Sequence, residues 1–401
     1  MTTWAGRGVL AGALAVLLGS ACGDDGSESA PSGDSEATTT TDGSSTGGDA
    51  QTTSAGTQMT GSTTTSGADV STSGAADDSS ASGSTSGDDD GTSTGGEPDA
   101  PPPTVHEGET YDVEVSTVVY AEGLEHSDWT EASTGTVELR LDVYEPVDAP
   151  PGRPAMMMIH GGGFVGGSRT DNNMVAFAEY FASRGWVAMS IDYRLAGVHG
   201  TVPDAWAELV QAVVPAQQRN QAYALYPAAR DAKAAMRWLH AHAEDYGIDT
   251  RFVTTLGGSA GSYLAIMLGV TDPEDFRDEI SPDDDPTLAT TNLESAADVH
   301  TIIDHWGGLS HMEILELLDG QSRFDDTDAP VSIVHGTADA TVAFAEAETL
   351  RDAYVETGVA FDFHPLEGAG HGAWGSVVDG MTLDALAFGF VLEQQALTVV
   401  P

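Results

Sequence analysis

Phe252-Val-Thr-Thr-Leu-Gly257-Gly258-Ser259-Ala260-Gly261 runs straight into Ser262-Tyr-Leu-Ala-Ile-Met-Leu268. An apolar, β-branched run ends in Gly-x-Ser-x-Gly, and a helix-like segment begins at once. That order is the signature of a sharp strand-to-helix turn that lifts one hydroxyl, Ser259, onto an exposed tip. Glycines are needed at 257 and 261 because backbone segments meet there too closely for a Cβ. Ser259 then sits at the positive end of the following helix, where developing negative charge is favoured. Taken alone, the pattern fits an ordinary Gly/Ser turn as well, so its weight depends on the rest of the chain.

Upstream of this turn the period is two. Tyr111–Tyr120 and Thr136–Tyr144 alternate apolar with polar residues, which predicts half-buried strands joined by a loop over Ala121–Gly135. Pro154–His160 is a continuous apolar run, as expected of a strand buried on both faces. Strand and helix patterns then alternate. A helix is expected from about Asn173 to Arg184 and a strand over Trp186–Ile191. A long helix from Ala216 to about Glu244, broken or bent near Pro227, leads to the Phe252–Leu256 strand and a helix over Ser259–Gly269. Strands Val299–His305 and Pro330–His335, helix Ala343–Thr357, strand Phe361–Pro365 and helix Val377–Gln394 complete the series. This alternation over about 290 residues defines an α/β fold with one doubly wound, mostly parallel central sheet flanked by helices. The Asp- and Pro-rich stretch Thr271–Asp298 is expected as an insertion over the sheet edge.

The first hundred residues cannot belong to that core. Arg7, the apolar run Val9–Leu18 and the small residues Gly19-Ser20-Ala21 before Cys22 have the order of an export signal. Ten apolar residues are too few to span a bilayer, which takes about 20. Cys22, the lone cysteine, resembles the lipidated first residue of a bacterial lipoprotein, although Leu18 stands one place further from it than the usual pattern has. From Gly23 to Pro103 there are 15 carboxylates, no Lys or Arg and almost no large apolar side chain. Such a segment is expected to be disordered, and behind a lipidated Cys22 it would serve as a spacer with a reach of roughly 50 Å. The expected organisation is a signal over 1–21, a linker over 22–103 and a catalytic domain over 104–401.

The formal net charge is −49, from 63 acidic and 14 basic residues. Nucleic acid is therefore excluded as a partner, because no basic stripe offsets phosphate repulsion. A single cysteine allows no intrachain disulfide and no Cys-based metal site. His300, His305 and His311 lack ligand spacing on one face, so no metal is expected.

His160-Gly161-Gly162-Gly163-Phe164 follows a buried strand about one hundred residues before Ser259. Three glycines let backbone N–H groups converge, and with the amide of Ala260 they would stabilise an oxyanion. A serine needs a base, and the base needs an orienting carboxylate. His371 lies on a glycine-rich loop after the last strand and is the candidate base. His364, His240 and His242 fall within elements, and His335 suits packing. Two carboxylates compete as orienter: Asp339, four residues past a strand, and Asp304 at the end of the preceding strand. The order Ser259, Asp339, His371 is the chain order of α/β-hydrolases.

These residues carry a resemblance. His160–Phe164, Gly166-Gly167-Ser168, Asp192-Tyr193-Arg194-Leu195, Asp231 with Arg237-Trp238-Leu239, Gly257–Gly261, His335–Asp339 and His371-Gly372 resemble the hormone-sensitive-lipase-related and feruloyl-esterase-like carboxylesterases over about residues 110–395. The resemblance implies an α/β-hydrolase fold, ester hydrolysis through an acyl-enzyme and no cofactor. It implies Ser259 as nucleophile, His371 as general base and acid, and Asp339 as its orienter. Gly162, Gly163 and Ala260 would be the oxyanion donors, His160 would shape the glycine turn, and Asp192–Arg194 with Arg237 would brace the fold. Ser262 departs from the pattern, since many relatives have a further glycine there, with packing of the turn as the expected consequence. The acidic 271–298 stretch is the other departure. Two alternatives stand beside it: a serine peptidase of prolyl-oligopeptidase type and a non-catalytic surface protein on the same scaffold. The expected partner is a small ester; a membrane contact is expected only through a lipid on Cys22.

Overall fold

A computed structural model describes residues 101–401. The expected signal, Cys22 and the linker as far as residue 100 lie outside the described residues. The main sheet is built from β2 (Val113–His126), β3 (Ser133–Pro146), β4 (Arg153–Ile159), β5 (Val187–Ile191), β6 (Ile248–Gly258), β7 (Thr301–His305), β8 (Val331–Gly336) and β9 (Phe361–Leu366). Its order is β2-β3-β5-β4-β6-β7-β8-β9. β3 runs antiparallel to both β2 and β5, and every pair from β5 onward is parallel. A short parallel pair, β1 (Thr104–His106) with β12 (Thr398–Val400), joins the two ends of the described chain.

Period two divides the core. Met156 and Met158 of β4 pack on one face with Met174, Phe177 and Phe181 of α1 (Asn172–Ala182) and Leu386, Phe390 and Val391 of the last helix. Ala155, Met157 and Ile159 pack on the other face. The same face of the sheet is covered by α3 (Arg219–Ala241), α4 (Ala260–Val270) and α6 (Phe344–Thr357). A parallel strand covered on both sides must be apolar throughout, which is why β4 reads Ala-Met-Met-Met-Ile. Gly-x-Ser-x-Gly therefore stands at the end of a central strand, next to β4 and β7.

Several expectations change. β2 and β3 run as far as His126 and from Ser133, in register Glu122↔Glu138, so most of the expected Ala121–Gly135 loop is strand. The helix expected over Ala216–Glu244 is one helix with Pro227 inside it. α2 (Asp204–Val213) and α5 (Ser310–Asp319) are additional helices. The final helix, α7 (Leu383–Gln395), starts later than expected, after the hairpin β10 (Val377–Val378) and β11 (Met381–Thr382), which turns through Asp379 at φ 52° and Gly380 at φ 85°. The acidic stretch is more than a cover over the edge: Phe276, Ile280 and Leu288 are core residues. It is tied down at both backbone and side chain, Arg237 Nε donating to Thr291 O (2.9 Å) and Glu122 N to the Thr290 hydroxyl Oγ1 (2.9 Å).

Arg194 and Asp231 brace this side of the sheet, both side chains being buried. Asp231 accepts from Arg194 Nη2 at 2.7 Å and from its backbone N at 2.8 Å, and Arg194 Nη1 donates to Leu124 O at 3.1 Å. Removing one partner of such a pair strands a buried charge and costs about 3–5 kcal/mol. Asp192 works similarly nearer the surface, accepting from Arg169 N and Nη1 at 2.7 and 2.6 Å.

Candidate active site

Ser259 joins β6 to α4 with φ 53° and ψ −124°, a conformation that costs a non-glycine residue energy and needs surrounding structure to hold it. The hold is backbone against backbone. A Cβ on Gly261 would lie 1.9 Å from Ile159 O, and one on Gly257 would lie 2.2 Å from the Gly261 carbonyl carbon. Ser259 N donates to His305 O at 3.0 Å, and Ser259 O accepts from Ser262 N and Tyr263 N at 2.9 and 3.2 Å. The amide of Ala260, at the first turn of α4, is among those an α-helix leaves without an internal acceptor.

Ser259 Oγ lies 2.8 Å from His371 Nε2, and His371 Nδ1 lies 2.7 Å from Asp339 Oδ2. With Nδ1–H donating to the carboxylate, Nε2 is free to accept from the hydroxyl. Asp339 is fixed by a turn in which Oδ1 accepts from Thr341 N (2.8 Å) and Val342 N (2.9 Å). Burial alone would raise its pKa, but hydrogen bonds from His335 and His371 outweigh burial and hold the carboxyl well below the usual range. The Asp339 side chain is fully buried, whereas the His371 ring is 24% exposed, so the assembly opens to solvent on the serine–imidazole side.

Asp304 is elsewhere engaged. Its Oδ1 accepts from Ser262 Oγ and from Gly307 N (2.8 Å). Ser262 therefore does more than pack the turn: its hydroxyl anchors that carboxylate. His240 meets Asp298 O at 3.0 Å, His242 stacks on Trp238, and His311 meets Leu225 O at 3.1 Å.

The glycine loop leans on the elbow, since a Cβ on Gly161 would lie 2.9 Å from Gly258 O and 3.4 Å from Ser259 Cβ. Gly161 O faces His160 Nδ1 (2.7 Å), and Gly162 O accepts from Val165 N (3.0 Å) and Gly166 N (3.1 Å). A trans peptide sets its C=O and N–H in opposite directions. The N–H groups of Gly162 and Gly163 therefore point away from that turn. His160 is locked behind it, stacked 4.3 Å from Tyr193, whose hydroxyl donates to His160 O at 2.9 Å. Burial lowers the His160 pKa, which suits a neutral structural ring. Gln221 of α3 donates to Gly163 O at 2.9 Å.

Two participants were not visible in the sequence reading, and a third was read for packing alone. Trp306, at φ 47°, and Trp374 meet edge to face at 4.7 Å, and Trp306 lies 6.4 Å from the His371 ring. His335, expected only to pack, touches Asp339. The two tryptophans signal themselves only as neighbours of Asp304 and His371 in sequence.

Sheet order, elbow and hydrogen-bonded Ser–His–Asp chain together define an α/β-hydrolase with the side-chain arrangement of a serine hydrolase. The family model described as BD-FAE matches residues 141–225 and 202–323, stretches that contain His160–Phe164 and Ser259 and end before Asp339. The chain is similar to Esterase LipC of Mycobacterium tuberculosis, 25% identical over 262 residues, which are 58% of this chain and 56% of that protein. It is 34% identical to human Carboxylesterase 3 over 130 residues, 31% of this chain and 19% of the relative. The chain thus spans about half, or less, of these curated relatives. Among solved structures it is similar to the native thermophilic esterase Est2 of Thermogutta terrifontis. Identity is 26% and the TM-score 0.48, over 71% of this chain and 92% of the other. By sequence, then, the chain is related to carboxylic-ester hydrolases.

Proposed function

We propose that the protein is a serine carboxylic-ester hydrolase working through an acyl-enzyme on small acyl, acetyl or aryl esters. The observation that carries the reading is the unbroken chain Ser259 Oγ–His371 Nε2 (2.8 Å) and His371 Nδ1–Asp339 Oδ2 (2.7 Å). Ser259 Oγ attacks the ester carbonyl carbon while its proton passes to His371 Nε2. The carbonyl oxygen becomes an oxyanion held by the N–H groups of Gly162, Gly163 and Ala260. The C–O bond to the alcohol breaks, and the alcohol leaves with the proton from His371. Water then attacks the acyl-enzyme by the same steps, and the acid is released. Asp339 holds the imidazole in the reactive tautomer and stabilises its cation throughout.

p-Nitrophenyl acetate and butyrate are expected to be hydrolysed by the full chain, with p-nitroanilides of the same acyl groups left intact. Faster cleavage of peptide-like anilides would favour the peptidase reading. No cleavage of either set would leave a non-catalytic scaffold. For location, Arg7, Val9–Leu18 and Ser20-Ala21-Cys22 support an exported protein anchored by lipid on Cys22. Mass spectrometry of the mature N-terminus should find a diacylglyceryl adduct on Cys22; an unmodified cysteine would leave a secreted form.

A further inference from the structure

Gly162, Gly163 and Phe164 lie at positive φ one after another, at 105°, 59° and 63°. Glycine takes up such angles freely and phenylalanine does not, so this stretch has to be held in place. The Phe164 ring is buried among Tyr193, Tyr263 and His311, at 6.1, 6.3 and 6.0 Å. The main chain is held through its carbonyls. Gly162 O accepts from Val165 N and Gly166 N, and Phe164 O accepts from Ala196 N at 2.8 Å. Between them, Gly163 O accepts from a side chain, the Gln221 amide, at 2.9 Å. Two peptide planes meet at the Gly163 Cα, and each is fixed by what its oxygen binds. Gln221 fixes the second. Without that bond, rotation of the Gly163–Phe164 peptide would carry Phe164 out of the left-handed region and relieve its strain.

The glutamine is itself firmly based. It stands in the first turn of α3, which is tied to the α2 segment and to the loop between β2 and β3. Arg219 Nε and Nη2 donate to Val214 O and Gln211 O, both at 2.9 Å. Ala222 O accepts from Trp206 Nε1 at 3.0 Å, and Asn220 Oδ1 accepts from Trp129 Nε1 at 2.7 Å. We propose that Gln221 is a positioning residue for the oxyanion donors. Its amide locks the Gly163–Phe164 peptide and so keeps the Gly163 N–H aimed at the oxygen that gains charge in the transition state. Such donors act by being oriented before the charge appears, so loosening one costs transition-state stabilisation more than substrate binding.

The inference rests on the ester-hydrolase reading, which the wild-type chain tests separately: a fluorophosphonate should attach to Ser259 and stop turnover of p-nitrophenyl acetate. Gln221→Met keeps the length of the side chain and loses the donor. Its kcat should fall about 10- to 50-fold, short of the 10²–10³ that deleting a donor costs, with KM changed by less than about twofold. Gln221→Glu, which sets an oxygen against Gly163 O, should lose at least as much. Inhibition by butylboronic acid, whose tetrahedral adduct with Ser259 places an oxygen at the same donors, should weaken by the factor that kcat/KM loses. The acid limb of kcat/KM should stay where it is, because the His371–Asp339 pair is untouched. A raised KM with kcat intact would make Gln221 a substrate contact and overturn the proposal. So would a kcat loss, or none, with boronate inhibition unchanged. A wild-type chain that neither reacts with the fluorophosphonate nor turns over ester would remove the hydrolase reading, and this inference with it.

Discussion

Ser259→Ala is expected to reduce hydrolysis of p-nitrophenyl butyrate by about 10⁴–10⁶-fold in kcat, leaving only what oxyanion donors and binding provide. No neighbour can replace the lost hydroxyl. Ser262 Oγ is committed to Asp304, whereas His371 Nε2 meets Ser259. The fold should survive, because Ser259 holds its place through main-chain bonds to His305, Ser262 and Tyr263 rather than through its side chain. Circular dichroism and thermal unfolding check that separately from activity. Ser259→Gly should be equally inactive yet unfold at a higher temperature, since glycine adopts φ 53° without the strain a Cβ brings. Retention of wild-type turnover by either variant would end the ester-hydrolase assignment.

Asp339→Asn should cost about 10⁴ in kcat with little change in fold. In the variant, the amide oxygen keeps the Thr341 and Val342 donors, so the NH₂ group takes the position of Oδ2. It then faces His371 Nδ1, a donor against a donor, and the ring can relieve this only by moving its proton to Nε2. An Nε2–H imidazole cannot accept from Ser259. Asp304→Asn provides the contrast: its Oδ1 still accepts from Ser262 and Gly307, and the loss should stay within about tenfold. Equal losses in the two variants would mean that the two carboxylates share the orienting role. The comparison is best made as full kcat and KM determinations, because wrong-tautomer damage falls on kcat.

Much of this arrangement was legible in the chain. Alternating and continuous apolar runs revealed the sheet, since β4 and β6–β8 are covered on both sides and are filled mainly by apolar residues. Gly257 and Gly261 were readable because their positions tolerate no side chain at all. Asp339 and His371 were readable because each follows a strand at the end of the sheet where Ser259 sits. What escaped depends on contacts between distant residues. α2 follows Pro203 with no capping side chain to announce it, and α5 carries acids along much of its length. Phe276 looked like part of an acidic surface stretch until the Trp206 and Tyr226 rings closed around it at 5.9 and 5.6 Å. His335 carries no local mark that distinguishes a packed ring from one sharing a carboxylate.

The elbow and glycine loop meet through main-chain atoms at Gly261–Ile159 and Gly161–Gly258, where no substitution can widen the gap. New substrate preference in this scaffold must therefore come from elsewhere. Mutant libraries aimed at Trp306, Trp374 and the segments around α2 and α5 should yield altered ester selectivity. Libraries spread over 159–163 and 257–261 should yield mostly insoluble protein.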